Sequence, residues 1–300
     1  VTGAGGFVGA RVATDLEEAG HRVIRLARRP IEGHPETVLW DLRRDYSGSE
    51  PLPAVDAVVH CAASLATLDV DRTLHEANVG GTLRVAHAWP DVPFVFVSSS
   101  SVYPPSRVAE GGAPLREADV TGEGLHDTYS RSKLEAERAL TGAAKGRSLT
   151  ILRASIIYGP GDRTILPHIR KLRLGRWVLL PGGKKRWSMT PVGLLSEASC
   201  EAVKRSELGV RVLNVAEEPP ERVRDLFQRL LEEDTGLRLQ VIPIPVWIMR
   251  AYAAVVETVW RVLKLKREPM VTRSAMAYIS EERILDLSAV HAFLRQRYDE

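Results

Sequence analysis

The stretch VTGAGGFVGARVA, residues 1–13, sets Gly3, Gly6 and Gly9 three positions apart, after the end of a strand and at the opening of an amphipathic helix. Glycines so placed permit a tight turn and a close approach of the backbone to a pyrophosphate. They also present a helix N-terminus whose free N–H groups and dipole face that anion. A second β-branched run, HRVIRLA, follows the helix, which is the context a dinucleotide-binding βαβ unit requires. A complete strand normally precedes such a turn. Here only Val1 and Thr2 do, without an initiating Met, so several N-terminal residues are expected to be missing, and the C-terminal HAFLRQRYDE is open to the same reading.

Working outward, short apolar runs (DAVVHCAA, PFVFVSS, SLTILRAS) alternate with helical segments such as GGTLRVAHAW. That alternation predicts an α/β fold, a Rossmann-type doubly wound parallel sheet with helices on both faces. Beyond about residue 160 it weakens. GPGDRTILPHIRKLRLG, LPGGKKRW and the helical RVRDLFQRLLEEDTG read as a smaller unit. The expected division is a dinucleotide-binding domain over 1–160 and a mainly substrate-binding domain over 161–300, with some segments returning to the sheet.

Three hundred residues suffice for both cores, and a net charge of +3 with intermixed signs supplies no stripe for a polyanion, so nucleic acid is not expected as a partner. Cys61 and Cys200 form no CxxC or metal-ligand spacing, which suits a reducing interior and a cytoplasmic location. No metal site is expected.

At the end of the second strand, where an acidic residue would bind the ribose hydroxyls of NAD, Ala27 is followed by Arg28 and Arg29. A guanidinium there forks onto a 2′-phosphate and favours NADP. Asp41, in LWDL, is placed to accept from the adenine amino group. Further on, DTYSRSKLEAE, residues 127–137, puts Tyr129 and Lys133 one helical turn apart on one face, where a phenol and an ammonium can share a cleft.

In order, TGAGGFVG, WDL, VVHCAAS, NVGGT, VSSSSVY, YSRSK and LRASIIYGPGD resemble the extended short-chain dehydrogenase/reductase family, of the NAD-dependent epimerase/dehydratase type. The resemblance implies an NAD(P)-binding Rossmann domain, a small C-terminal substrate domain, and a catalytic set of Ser99, Tyr129 and Lys133. It also implies cofactor contacts from Gly3, Gly6, Phe7, Val8 and Gly9 in the turn, then Arg28, Asp41 and Leu42, then Cys61, Ala62 and Ala63. Asn78, Ser155, and Tyr129 and Lys133 themselves complete the implied cofactor set. Strand alternation turns Ser98 and Ser100 away from Ser99. His60 reads as a satisfied core residue.

Within that family, 4,6-dehydratases carry Asp-Glu directly after the catalytic Thr, where this chain has Ser100 and Ser101. Many sugar-nucleotide enzymes carry an asparagine where Ile156 stands. These departures resemble the 3β-hydroxysteroid dehydrogenase and dihydroflavonol reductase branch, and imply a secondary alcohol or ketone substrate that is small or apolar. A sugar-nucleotide epimerase and a catalytically silent NADPH-binding subunit are the alternatives.

The segment PVWIMRAYAAVVETVWRVLKLKREP, residues 245–269, aligns Arg250, Glu257, Arg261 and Lys264 on one narrow helical face. The broad remainder, with Trp247, Val256, Trp260 and Leu263, must be covered. It is expected either to pack in the small domain, or to border the substrate cleft and, together with Ile156, admit an apolar substrate or let the protein rest on a membrane surface, with Lys264, Lys266 and Arg267 at the headgroups. A homodimer is the other open assembly.

Overall fold

The computed structural model describes residues 1–65, 71–104, 113–120, 122, 124–125, 127–144, 146–163, 165–181, 183–263 and 282–295. Its first half contains β1 (Leu26–Ala27), β2 (Val38–Leu39), β3 (Val58–His60), β4 (Phe94–Ser99) and β5 (Ser148–Ala154). Between them run α1 (Phe7–Glu18), α2 (Asp71–His75), a π-helical turn at Glu76–Gly80, α3 (Gly81–Ala88) and α4 (Thr128–Ala143). The second half holds β6 (Ile157–Tyr158), α5 (Leu166–Arg170), β7 (Arg173–Leu174), β8 (Trp177–Pro181), β9 (Arg186–Trp187), β10 (Thr190–Pro191) and α6 (Val192–Lys204). It continues with β11 (Gly209–Val215), β12 (Glu221–Arg222), α7 (Val223–Thr235), β13 (Gln240–Ile244), α8 (Val246–Val262) and α9 (Ser288–Arg295).

Strands β11, β5, β4 and β3 pair in that order, all parallel. Thr2 bridges in parallel to His60 on one side and Leu26 on the other, so the stub before the glycine turn lies between β3 and β1, and β1 pairs in parallel with β2. The expected doubly wound parallel sheet is present, and its strand order reverses at that stub, where such sheets bind ligands beyond their carboxyl ends.

The run FVFV, residues 94–97, is apolar at every position because both sheet faces are covered. Phe94 and Phe96 pack with Val85, Ala136 and Leu140 of α3 and α4. Val95 and Val97 pack with Val12 of α1, Leu195 of α6 and Phe293 of α9. Thus β11, α6 and α9, from the second half, complete the nucleotide-binding core. A separate core of Tyr158, Val178, Leu180, Trp187, Phe227 and their neighbours holds the smaller lobe.

The helix read over 245–269 forms as α8, but only one side of it packs. Met249, Val256, Glu257 and Trp260 are half-buried and Ala253 is buried. The opposite side carries Trp247 at 72 %, Val255 at 63 % and Val262 at 73 % exposure, with Ile248, Tyr252 and Val259 also exposed. Within the chain, the broad apolar surface is therefore covered at Val256 and Trp260 and left open at Trp247 and Leu263. A helix apolar on nearly every side cannot bury all of itself against one neighbour. Lys264, Lys266 and Arg267 lie outside the described residues. Among the described residues, no helix is long and apolar enough to cross a membrane.

Candidate active site

The glycine turn is built by close approach. Gly3 has φ +66°, and a Cβ on it would fall 2.9 Å from the Ala62 backbone; a Cβ on Gly9 would fall 2.3 Å from the Gly3 carbonyl oxygen. No side chain caps α1, and Ala10 N makes its first intrahelical bond, to Gly6 O, so the N–H groups of Phe7, Val8 and Gly9 are open to an anion. This cradle fits the pyrophosphate of a dinucleotide.

A cleft of about 900 Å³ runs from this turn past the ends of β1, β2 and β3. Of the expected cofactor residues, it brings together Gly3, Gly6, Arg28, Asp41, Leu42, Cys61, Ala62 and Ala63. Phe7 lines the adjoining groove instead. Val8, Gly9, Asn78, Ser155, Tyr129 and Lys133 do not line the cleft, and the first four hold other positions. Val8 packs on the core. Gly9 serves close packing of helix on turn, as its distance to Gly3 shows. Ser155 is buried with its N–H bonded to Thr190 Oγ1. Asn78 spends its amide on structure: it accepts from Ser64 N at 2.7 Å and donates to Ser64 O and Ser132 Oγ, both at 3.0 Å. It thereby ties the loop after β3 to the residue preceding Lys133.

Asp41 is engaged by Arg43 through two parallel contacts of 3.0 and 2.6 Å, which hold its carboxyl down at about 2. Arg43 lines the cleft beside the exposed Arg28 and Arg29, and the sequence reading missed it. Cys61 lines the wall of the cleft, and burial pushes its thiol up to about 12. His60 is core, as read: Thr2 Oγ1 and Thr82 Oγ1 lie 2.7 and 2.9 Å from its ring nitrogens, and burial lowers it to about 3.

One strand over, Ser99 ends β4, and α4 packs against that end and the short turn Ser100–Val102. Ser99 Oγ accepts from Ser101 N at 3.1 Å, while Ser98 Oγ, on the opposite side as alternation requires, donates to Glu137 Oε1 at 2.5 Å. Asp127 caps α4, accepting from Ser130 N at 2.8 Å, and so fixes the half-buried Tyr129 in the first turn. Lys133 is 3 % exposed; its Nζ donates to Val97 O at 2.8 Å and sits 4.6 Å from the centre of the Phe96 ring. Burial lowers its ammonium to about 8.

A further turn along α4, Glu137 meets Arg153 in a buried ion pair at 2.7 Å. Arg153 also donates to Tyr103 Oη at 3.2 Å, and Tyr103 Oη donates to Asn214 Oδ1 at 2.5 Å. This network locks the underside of α4 to β4, β5 and β11. Its sequence signal was Glu137 itself, four residues beyond Lys133 on the same face.

A dinucleotide cleft on a doubly wound sheet, with a serine, a tyrosine and a buried lysine at the neighbouring strand end, defines a nicotinamide-dependent oxidoreductase or epimerase. Residues 1–216 match the NAD dependent epimerase/dehydratase family, and the chain belongs to it. It is 27 % identical over 288 residues to the 2-alkyl-3-oxoalkanoate reductase of Stenotrophomonas maltophilia, covering 91 % of this chain and 86 % of that one. It is also 29 % identical over 204 residues to the 3-beta-hydroxysteroid dehydrogenase of Mycolicibacterium neoaurum, covering 61 % of this chain and 54 % of that protein. The solved structure of MoeE5 in complex with UDP-glucose and NAD matches with a TM-score of 0.67 and 27 % identity, over 81 % of this chain and 84 % of that one.

Proposed function

We propose that the chain is an NADP-preferring reductase or dehydrogenase interconverting a secondary alcohol and a ketone on a small or apolar substrate. The observation that carries this reading is the line of Tyr129 and Lys133 along α4 beside Ser99, with Lys133 buried yet retained as a cation near neutral pH. A free phenol titrates near 10, and bringing it near 7 requires about 4 kcal/mol of differential stabilisation. The Lys133 ammonium supplies part of that. A nicotinamide held in the cleft would supply the hydride donor or acceptor. In reduction Tyr129 gives its proton to the carbonyl oxygen that Ser99 holds; in oxidation it takes the proton back. Lys133 also binds the nicotinamide ribose.

Arg28 and Arg29 at the cleft support NADP, with Arg28 forking onto the 2′-phosphate. Ile156, half-buried at the edge of the small-lobe core, and Ser100 and Ser101 in place of an acid and base support the apolar ketone over sugar-nucleotide dehydration. The reductase and hydroxysteroid dehydrogenase relatives point the same way. The outward stripe of α8 rests on an anionic lipid surface: its Trp247 and Tyr252 suit the interface, and the basic Lys264, Lys266 and Arg267 follow directly in sequence. Following NADPH oxidation over a panel of 3-oxo acids and steroid ketones, with formation of the 4-epimer from UDP-glucose in the presence of NAD⁺ assayed alongside, tests the activity. Turnover on a ketone is expected. Epimerisation of UDP-glucose with no ketone reduced would replace this reading with the epimerase, and Arg28→Ala should abolish most of the preference for NADPH over NADH.

A further inference from the structure

We propose that Arg163, from the loop after β6, clamps the cofactor's pyrophosphate against the glycine turn, so that a side chain of the second half completes the nucleotide site of the first. The inference rests on the NAD(P) reading above. Arg163 lines both the main cleft and the adjoining groove, and in each it lies with Gly5 and Gly6, the backbone that must face the pyrophosphate.

The loop is held there from both sides. Gly161, at φ +85°, lies beside the first residue of α1: a Cβ on it would stand in ordinary van der Waals contact with the Phe7 ring, at 3.8 Å. Asp162 is anchored in turn: its N–H bonds to Gly159 O at 3.1 Å, and its carboxylate accepts from Ile165 N at 3.0 Å and Leu166 N at 2.9 Å. Arg163 sits between these anchors with its backbone fixed and its side chain exposed.

Charge favours the assignment. Asp15 and Glu18 line the same groove, and Asp15 is already paired with Arg11 at 2.8 Å. Among the described residues Arg163 forms no ion pair with any carboxylate. The glycine turn offers only backbone N–H groups and a helix dipole to a doubly charged group. One unspent guanidinium beside it supplies the fork that such an anion takes.

The test is titration of wild type, Arg163→Gln and Arg163→Lys with NADH, NADPH, ADP-ribose and 2′-AMP. Arg163→Gln is expected to weaken NADH, NADPH and ADP-ribose alike by about tenfold, the worth of a charge-assisted hydrogen bond, and to leave 2′-AMP within about twofold. Arg163→Lys is expected to restore part of the loss. Unchanged affinities would overturn the inference. A loss confined to NADPH and 2′-AMP would also overturn it, by placing Arg163 on the 2′-phosphate. Failure of the wild type to bind ADP-ribose at all would instead remove the NAD(P) reading on which the inference stands.

Discussion

Two helices of similar length meet the protein in opposite ways. α4 is rich in polar residues, yet Ser130, Ser132, Lys133 and Glu137 are all buried against the sheet. α8 is the more apolar in composition, yet among its described side chains only Ala253 is buried. Composition alone would have assigned the core to the second and the surface to the first. What separates them is partnership: every buried polar group of α4 just named except Ser130 meets a partner from another element. Lys133 meets Val97 O, Ser132 meets Asn78, and Glu137 meets Ser98 and Arg153. A buried charge is tolerated on those terms and is then held in one geometry, which is what a proton-transfer site needs. The outward side of α8 meets no such partner among the described residues and stays exposed.

The largest expected effect falls on α4. Tyr129→Phe should lower turnover by about 10²–10⁴ while cofactor affinity stays within a few-fold, because a positioned proton donor contributes on that scale to chemistry and not to binding. Steady-state rates on the preferred ketone, with separate cofactor titration, read both quantities. Glu137→Ala should destabilise the fold by about 3–5 kcal/mol by leaving Arg153 buried without its counter-charge. Breaking the half-exposed Arg229–Glu221 pair of the small lobe, at 2.8 Å, should cost no more than about 1 kcal/mol. Urea unfolding of the two variants compares the regions directly, and equal losses would break the contrast. Smallest in stability is Val255→Asp on α8, expected within about 0.5 kcal/mol of wild type. It should nevertheless abolish flotation with anionic vesicles. Absence of flotation in the wild type, with a dimer in native mass spectrometry that Val255→Asp dissociates, would assign the stripe to a second copy of the chain.

The parts of this arrangement that were legible beforehand were local. Gly3, Gly6 and Gly9 announce a turn through a spacing of three, Tyr129 and Lys133 share a face through a spacing of four, and Ser98 and Ser99 part company through a period of two. What stayed hidden depends on distant partners. Glu137 finds Arg153 16 residues away, Tyr103 finds Asn214 111 residues away, and Arg163 reaches the glycine turn only because the loop after β6 folds back on Phe7. Asn78 was read as a cofactor contact because its neighbourhood is right. What no local pattern announces is that its amide joins Ser64 to Ser132, a tie set by tertiary geometry. The outward side of α8 was only half legible for a related reason: periodicity says which residues share a face but not how many faces find a neighbour within the chain.

The central claim is that Lys133, buried one turn along α4 from Tyr129, makes the phenol acidic enough to exchange a proton with substrate, and it can be measured without knowing the substrate. The ultraviolet tyrosinate signal of the NADP⁺ complex is titrated with pH, and the signal of Tyr129→Phe is subtracted. The ammonium stabilises phenolate, so the Tyr129–Lys133 pair should show its first apparent pKa below the phenol's ordinary value of about 10, and Lys133→Met, lacking that charge, should move it upward. A Tyr129 signal that titrates near 10 in the wild type and does not move in Lys133→Met would contradict the account.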